Sequence, residues 1–473
     1  MSLLLKRRRL CLSAPLLYVS VLLIFIETVS YDIFSVVKLR HTTPGSVYRS
    51  PLLYANLRSE MDSDTSSLDS ICNAVAVAAY LNATLIIPYF RFHSIWRDSS
   101  KFSDIYDEDH FVETLEQDVR MVKRVPGYIM ERFHYNLSNV YNFRIQAWSS
   151  INYYKDTVLA KLLEEKIIRL SPFANRLSTD APPHVQRLRC LANYQALRFS
   201  DPIETLGELL VERMKRHTAK NGGKYASVHL RFEEDMVAFS CCVYDSGEQE
   251  KLHMDGVRER GWKGKFTRRG HVIIPEAIRL NGSCPLTPLE VGLMLRGMGF
   301  GKSSFVYLAS GKILDSEKYM APLLEMFPLL QTKETLMSTE ELAPFEKYSS
   351  RMAAIDYTVC LHGEVFVATQ GGNFVQVLLG HRRYLYGGDA RTIRPDKRKL
   401  AVLFDNPNIG WENFKKEMVS MREKSMSKGL QLRRPGDSIY SFPCPDCMCK
   451  AKSVDARVDV SHSVTTYSHY TFL

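Results

Sequence analysis

Tyr225-Ala-Ser-Val-His-Leu-Arg-Phe-Glu-Glu-Asp-Met-Val-Ala-Phe-Ser-Cys-Cys242 begins with the period of a half-buried strand, Ala226, Val228 and Leu230 alternating with Ser227, His229 and Arg231. The alternation sends His229 and Arg231 to one side. Arg231 lies where the strand runs out, and the ends of parallel strands are where open α/β sheets present their chemistry. A guanidinium there can grip a diphosphate through two parallel hydrogen bonds. Glu233, Glu234 and Asp235 follow at once, so a permanent cation and three carboxylates share one strand exit. On spacing alone the cluster fits a surface salt-bridge group after an edge strand equally well.

A second stretch bears on that choice. In Val365-Phe-Val-Ala-Thr-Gln-Gly-Gly-Asn-Phe-Val-Gln-Val-Leu-Leu-Gly-His381 an apolar strand runs into Thr369-Gln-Gly-Gly-Asn373, and a helix is expected from about Phe374. Backbone N–H groups at a helix start, with Gly371 and Gly372 permitting close approach, suit an anionic phosphate. Taken with Arg231 in the same predicted sheet, this turn describes a nucleotide-diphosphate site without a dedicated metal cage.

At 473 residues the chain exceeds what one core usually serves. We divide it near Lys220-Asn-Gly-Gly223 into two α/β halves. The first half opens with an Ala-rich buried helix over Ile71–Leu81 and a short strand over Thr84–Pro88. An amphipathic helix over Leu159–Leu170 and two more helices over Leu188–Phe199 and Leu206–His217 follow. In the second half, basic Arg258 to Gly270 reads as a loop that could meet an acidic acceptor, and Pro322–Phe327 and Ser350–Tyr357 read as short helices. The net charge of +10 is spread over the chain, with four charges in Lys6 to Arg9, so it carries no nucleic-acid footprint.

Leu10 to Ile26 is free of charge and follows the basic cluster, which predicts a signal anchor with the N-terminus cytoplasmic and the body lumenal. Sequons at Asn82, Asn136 and Asn281 fit a lumenal body as glycosylation sites. Of ten cysteines, nine follow the anchor, where disulfides persist, with one thiol left over or paired between chains. Cys444-Pro-Asp-Cys-Met-Cys449 lacks the second pair a zinc finger needs, and Asp62-Ser-Asp64 sits in a polar stem, so no metal is expected.

The motifs His229-Leu-Arg-Phe-Glu-Glu-Asp-Met236 with Ala238-Phe-Ser240, Cys284-Pro-Leu-Thr-Pro288, and Ser350-Arg-Met-Ala-Ala-Ile-Asp356 through Thr369-Gln-Gly-Gly-Asn373 closely resemble the plant protein O-fucosyltransferase-like family from about Ile71 to Cys449. The resemblance implies an α/β, GT-B-like fold of two Rossmann-like domains facing a cleft. It implies a cytoplasmic tail over 1–9, a transmembrane signal anchor over 10–29 and a stem over 30–68. An acceptor-side domain over 69–221 and a nucleotide-sugar-binding domain over 222–435 follow, with a Cys-containing tail, disordered at its end, over 436–473. The implied activity is inverting transfer of fucose from GDP-fucose to a glycan or protein hydroxyl by a type II Golgi membrane protein, without a cofactor. A rhamnosyltransferase or other cell-wall polysaccharide glycosyltransferase is the alternative.

Carried over by position, Arg231 is the diphosphate-binding arginine, His229 belongs to the same H-x-R element, Asp356 is a candidate nucleotide-base contact, and Thr369, Gly371, Gly372 and Asn373 form the donor-phosphate turn. Glu233, Glu234 and Asp235 are the candidates for the base that an inverting transfer wants. The family has a Gly-Gly-Leu-Asn-Gln-type turn before the helix that here begins near Ile71, whereas this chain has Asp64-Thr-Ser-Ser-Leu-Asp-Ser70. The acceptor-side domain is therefore expected to lack that turn and its first strand. A catalytically impaired relative or a scaffold of Golgi glycan synthesis is the second alternative.

Overall fold

The computed structural model describes residues 67–90, 98–146, 149–170, 177, 181–244, 248–266, 273–386, 390–426 and 471–472. The expected tail, anchor and stem up to residue 66, Asp62-Ser-Asp64 and the Cys444–Cys449 cluster lie outside them, whereas Ser67 and Leu68, read as the end of the stem, already belong to a helix. Among the described residues no helix is long and apolar enough to cross a membrane.

The architecture is α/β, built on two parallel sheets. The first holds β1 (Thr84–Ile86), β2 (Met121–Val122), β3 (Asn142–Phe143), β4 (Ile167–Leu170) and β9 (Thr471–Phe472) in the order β2-β1-β9-β4-β3. Helix α1 (Ser67–Tyr80) leads into β1 and buries Ile71, Cys72, Val75, Ala76, Val77 and Ala78, because its small and β-branched residues leave almost no polar face. The expected helix over Leu159–Leu170 is two elements. A helix over Leu159–Glu165 stops at Lys166, which takes a left-handed φ of 66°, and the β-branched pair Ile167-Ile168 then starts β4.

The centre of this sheet departs furthest from expectation. Thr471–Phe472, within the tail read as disordered, pairs in parallel with β1 through Thr84↔Thr471 and Leu85↔Phe472, and with β4 through Ile167↔Thr471 and Ile168↔Phe472. Among the described residues, the centre of this sheet is thus filled by residues almost four hundred positions away from β1 in the sequence.

The second sheet runs β6-β5-β7-β8, with β5 (Ala226–His229), β6 (Val306–Ala309), β7 (Val365–Ala368) and β8 (Thr392–Ile393) all parallel. Alternation along β5 predicts one wet face, yet Ser227 is 0% and His229 6% exposed. A central parallel strand is covered on both sides, and Ser227 adapts by donating its hydroxyl to the carbonyls of Cys360 and Val365.

The two sheets are tied by helices. Helix α2 (Asp201–His217) packs on α5 (Ser349–His362) so closely that a Cβ at Gly207 would lie 2.8 Å from Thr358 Cβ. Arg213 binds Glu341 with both Nη atoms, at 2.7 and 2.6 Å, and Asp98 accepts the Ser350 N–H at 2.6 Å to cap α5. One buried core runs without interruption from Ile71 to Leu379.

Three further readings change. Of the loop expected over Arg258 to Gly270, Arg258 to Gly261 instead closes helix α4 (Glu248–Gly261), which follows α3 (Glu234–Ser240), whereas residues 262–266 form turns as expected. The helix expected over Pro322–Phe327 spans Ser316–Met326 with Pro322 inside it. Cys242 and Cys284 form a disulfide and Cys190 is disulfide-bonded, but Cys72, Cys241 and Cys360 are buried thiols, more than the single one expected.

Candidate functional site

The site forms where three neighbouring strands end together. His229 is in register with Ala309 on one side and Ala368 on the other, so Arg231, Ser310-Gly311 and Thr369 to Gly372 leave the sheet side by side. Thr369 locks two of these exits. Its backbone N–H and its hydroxyl both donate to the His229 carbonyl, at 3.3 and 2.7 Å, and the side chain is 1% exposed. Thr369 therefore shapes the turn from below and does not offer its hydroxyl to a ligand.

Beyond it, Gly371 and Gly372 are exposed, with no atom within 4 Å of where a Cβ would stand. Gly372 has φ +122°, a conformation that a side chain would strain. Helix α6 (Asn373–Leu385) starts one residue earlier than the sequence predicts, and Asn373 is nearly buried at its head. Its first N–H groups carry the positive end of the helix dipole toward the open side of the two glycines.

Arg231 reaches this space with about a quarter of its side chain exposed, and its Nε lies 3.2 Å from Glu233 Oε2. The other oxygen of Glu233 accepts the Gly311 N–H at 2.9 Å. Glu233 thus ties the exits of β5 and β6 together and pairs its charge with the guanidinium, although neither Arg231 Nε nor Glu233 Oε2 makes a hydrogen bond within the protein. Glu234 turns outward instead and pairs with His253 of α4 at 2.7 Å, both side chains about half exposed. Asp235 is half-buried in the first turn of α3. Of the three carboxylates, Glu234 is the exposed one, with a histidine beside it that no local pattern had marked.

His229 is 6% exposed and lies flat against Phe374, ring centroids 4.5 Å apart. Burial, together with the charges of Arg231 and Lys333, pushes its pKa down to about 3, so the imidazole is neutral. Its Nδ1 is buried without a hydrogen-bond partner in the protein.

Asp356, the candidate nucleotide-base contact, is turned into the protein. It is 4% exposed, and its oxygens accept from Tyr307 Oη at 2.7 Å and from Lys333 Nζ at 2.9 Å. Burial raises its pKa to about 6 against the pull of Lys333 and Tyr307. Lys333 in turn donates to the carbonyl of Ser310, the residue before the glycine that binds Glu233. Asp356 thus supports the floor of the site through Lys333, a residue whose part depends wholly on tertiary contact.

Two of the sequons are open to solvent at Asn82 and Asn136, whereas Asn281 is half-buried in a turn pressed against residues 397–398.

The profile of the family described as GDP-fucose protein O-fucosyltransferase matches residues 67–385, more than half of the chain. The chain belongs to this family and is a glycosyltransferase of the O-fucosyltransferase class. Among its relatives, Protein ESMERALDA 1 of Arabidopsis thaliana is 61% identical over 496 residues, covering 95% of this chain and 87% of that protein. O-fucosyltransferase 4 of Arabidopsis thaliana is 59% identical over 502 residues, covering 96% and 89%. Of solved structures, the crystal structure of POFUT1 in its apo form aligns with 69% of this chain and 92% of that one, at 13% identity and a TM-score of 0.39.

Proposed function

We propose that this protein transfers fucose from GDP-fucose to a glycan or protein hydroxyl, with inversion, as a single-pass type II protein whose body lies in the Golgi lumen. One observation carries the reading: Arg231, braced by Glu233, leaves β5 in register with the exposed glycine pair at the head of α6. Bond cleavage puts new charge on the departing diphosphate. A fixed guanidinium and helix-terminal N–H groups stabilise that charge without having to reorganise. Glu234 beside His253 is the base for the acceptor hydroxyl.

Calorimetry with GDP against UDP, followed by turnover of labelled nucleotide sugars on cell-wall fragments, tests the proposal. GDP binding that is lost in Arg231→Ala supports it. Preference for UDP moves the donor to that of a rhamnosyltransferase or other cell-wall enzyme, and no nucleotide binding overturns it.

A second reading rests on α1, which already includes Ser67 to Ser70, so among the described residues no glycine-rich turn stands before it. This favours a catalytically impaired scaffold. An Arg231→Ala protein that still rescued loss of the gene would establish it.

A further inference from the structure

Behind the glycine turn lies a lysine that the site as described does not use. Lys397, the first residue of α7 (Lys397–Phe404), donates from Nζ to Gln370 Oε1, and the Gln370 amide reaches the Ser283 carbonyl at 3.5 Å. Gln370 stands between Thr369, pinned to His229, and the exposed Gly371-Gly372. The lysine itself is held from the other side. A Cβ at Gly282 would come within 2.9 Å of Lys397 Cβ and 2.8 Å of the Arg398 nitrogen, so the 281–283 turn closes directly on the start of α7.

No carboxylate neutralises this ammonium among the described residues. The charged groups that act on it are Glu290 and Arg279, with Asp396, Arg398 and Lys399 beside it in the chain. Arg279 takes two carboxylates, Glu290 at 2.7 Å and Asp405 at 2.6 Å. An unpaired cation hydrogen-bonded to a donor-turn side chain is costly to keep without an anion nearby.

We propose that Lys397 is a positioning residue of the donor site: its ammonium, acting through Gln370, sets the 369–373 turn for a nucleoside diphosphate and is completed electrostatically by the ligand's negative charge. This rests on the nucleotide reading of the turn. Lys397 keeps some exposure as a residue, yet desolvation of its ammonium pushes its pKa down to about 7, with Glu290 opposing and Arg279 adding to the effect. An arriving diphosphate raises it, so binding takes up a proton when the pH is near or above 7.

Isothermal calorimetry of GDP with the full chain, in buffers of differing ionisation enthalpy between pH 6 and 8.5, tests this on wild type, Lys397→Met, Lys397→Arg and Arg231→Ala. Wild type is expected to take up more protons than Lys397→Arg, whose guanidinium stays charged, and the nucleotide's own phosphate ionisation cancels in that difference. Wild-type affinity should fall relative to Lys397→Arg by up to about tenfold per pH unit above 7, the limit for one linked proton. Lys397→Met should bind about tenfold more weakly at pH 6.5 while keeping wild-type thermal unfolding, a loss of about 1.4 kcal/mol in binding. GDP binding that is abolished in Arg231→Ala but is equal in wild type and Lys397→Met, with no excess proton uptake, overturns the role of Lys397 alone. Absence of GDP binding by wild type overturns both this role and the donor site itself.

Discussion

The two sheets are built from the same kind of strand but are closed by different means. In the sheet of β5 to β8, every strand comes from residues 226–393, and β5 pairs over four residues with each of its neighbours. In the sheet of β1 to β4, the central place belongs to Thr471–Phe472, which pairs over two residues with each neighbour. Without that segment the inner edges of β1 and β4 would face each other with unpaired N–H and C=O groups, deep beside Leu85, Ile86, Ile167 and Ile168. The sheet that carries the site is thus self-sufficient, and the other is completed over a long loop whose closure has an entropic cost. Chemistry that needs fixed donors sits on the sheet that closes locally.

The comparison breaks most sharply if chemistry and folding are separated. Arg231→Ala removes the guanidinium without touching either ladder. Loss of one preorganised charge-stabilising donor costs about 10²–10³ in kcat, roughly 3–4 kcal/mol. Turnover should fall by that factor while amide hydrogen exchange in both sheets stays unchanged. A turnover within threefold of wild type would detach the site from β5.

Replacing both Thr471 and Phe472 by proline makes the opposite cut. Proline cannot donate to a ladder, and each lost hydrogen bond takes away about 1 kcal/mol, so two or three such losses approach 3 kcal/mol. Hydrogen exchange at Leu85, Ile86, Ile167 and Ile168 should accelerate strongly, with Val228, Leu308 and Val367 still protected. Equal protection in all five strands would show that the first sheet does not depend on its central segment.

How the sheets close also decides how much could be read in advance. β5 and β7 are apolar runs bounded by glycine turns and charge, and their pattern is intrinsic to the segment, so both were legible. Thr471–Phe472 lies in a polar tract and is too short to show a period, so only the pairing reveals it. Arg231, Glu233 and the glycine pair were legible because strand exits concentrate charge and glycine. Lys333, His253 and Lys397 were not, since each gains its part from a neighbour brought in by the fold. Asp356 was placed by a matched position, which says nothing of burial, and here Tyr307 and Lys333 enclose it.

The contact between the lobes gives a smaller effect. Gly207→Ala would place its methyl 2.8 Å from Thr358 Cβ and 2.9 Å from Cγ2, forcing α2 from α5. Overpacking of this kind costs about 1–3 kcal/mol. Thermal unfolding should shift down, and Thr358→Ala, which removes Cγ2 and Oγ1, should recover part of the loss. If Gly207→Ala unfolds at the wild-type temperature, the two lobes are not held at this crossing.

Acid should distinguish the sheets most gently. His229 on β5 and His381 on α6 are held neutral, burial lowering their pKa values to about 3 and about 4, His381 also feeling His362. The unfolded chain protonates its histidines near 6.5, so it binds more protons than the folded chain between that pH and about 4. The stability they contribute is complete above 6.5 and is lost as the pH falls toward their folded values, by up to about 1.4 kcal/mol per pH unit for each histidine. His381→Gln, which gives up a 3.0 Å contact with Tyr357 Oη but cannot titrate, should lower stability at pH 7.5 and flatten its fall between pH 6 and 4.5. Chemical denaturation across that range measures the slope, and hydrogen exchange at pH 5 should show the loss first around β5 and α6. A slope unchanged by the substitution would mean that His381 titrates alike in folded and unfolded chains and that the site-bearing sheet owes its acid sensitivity to other groups.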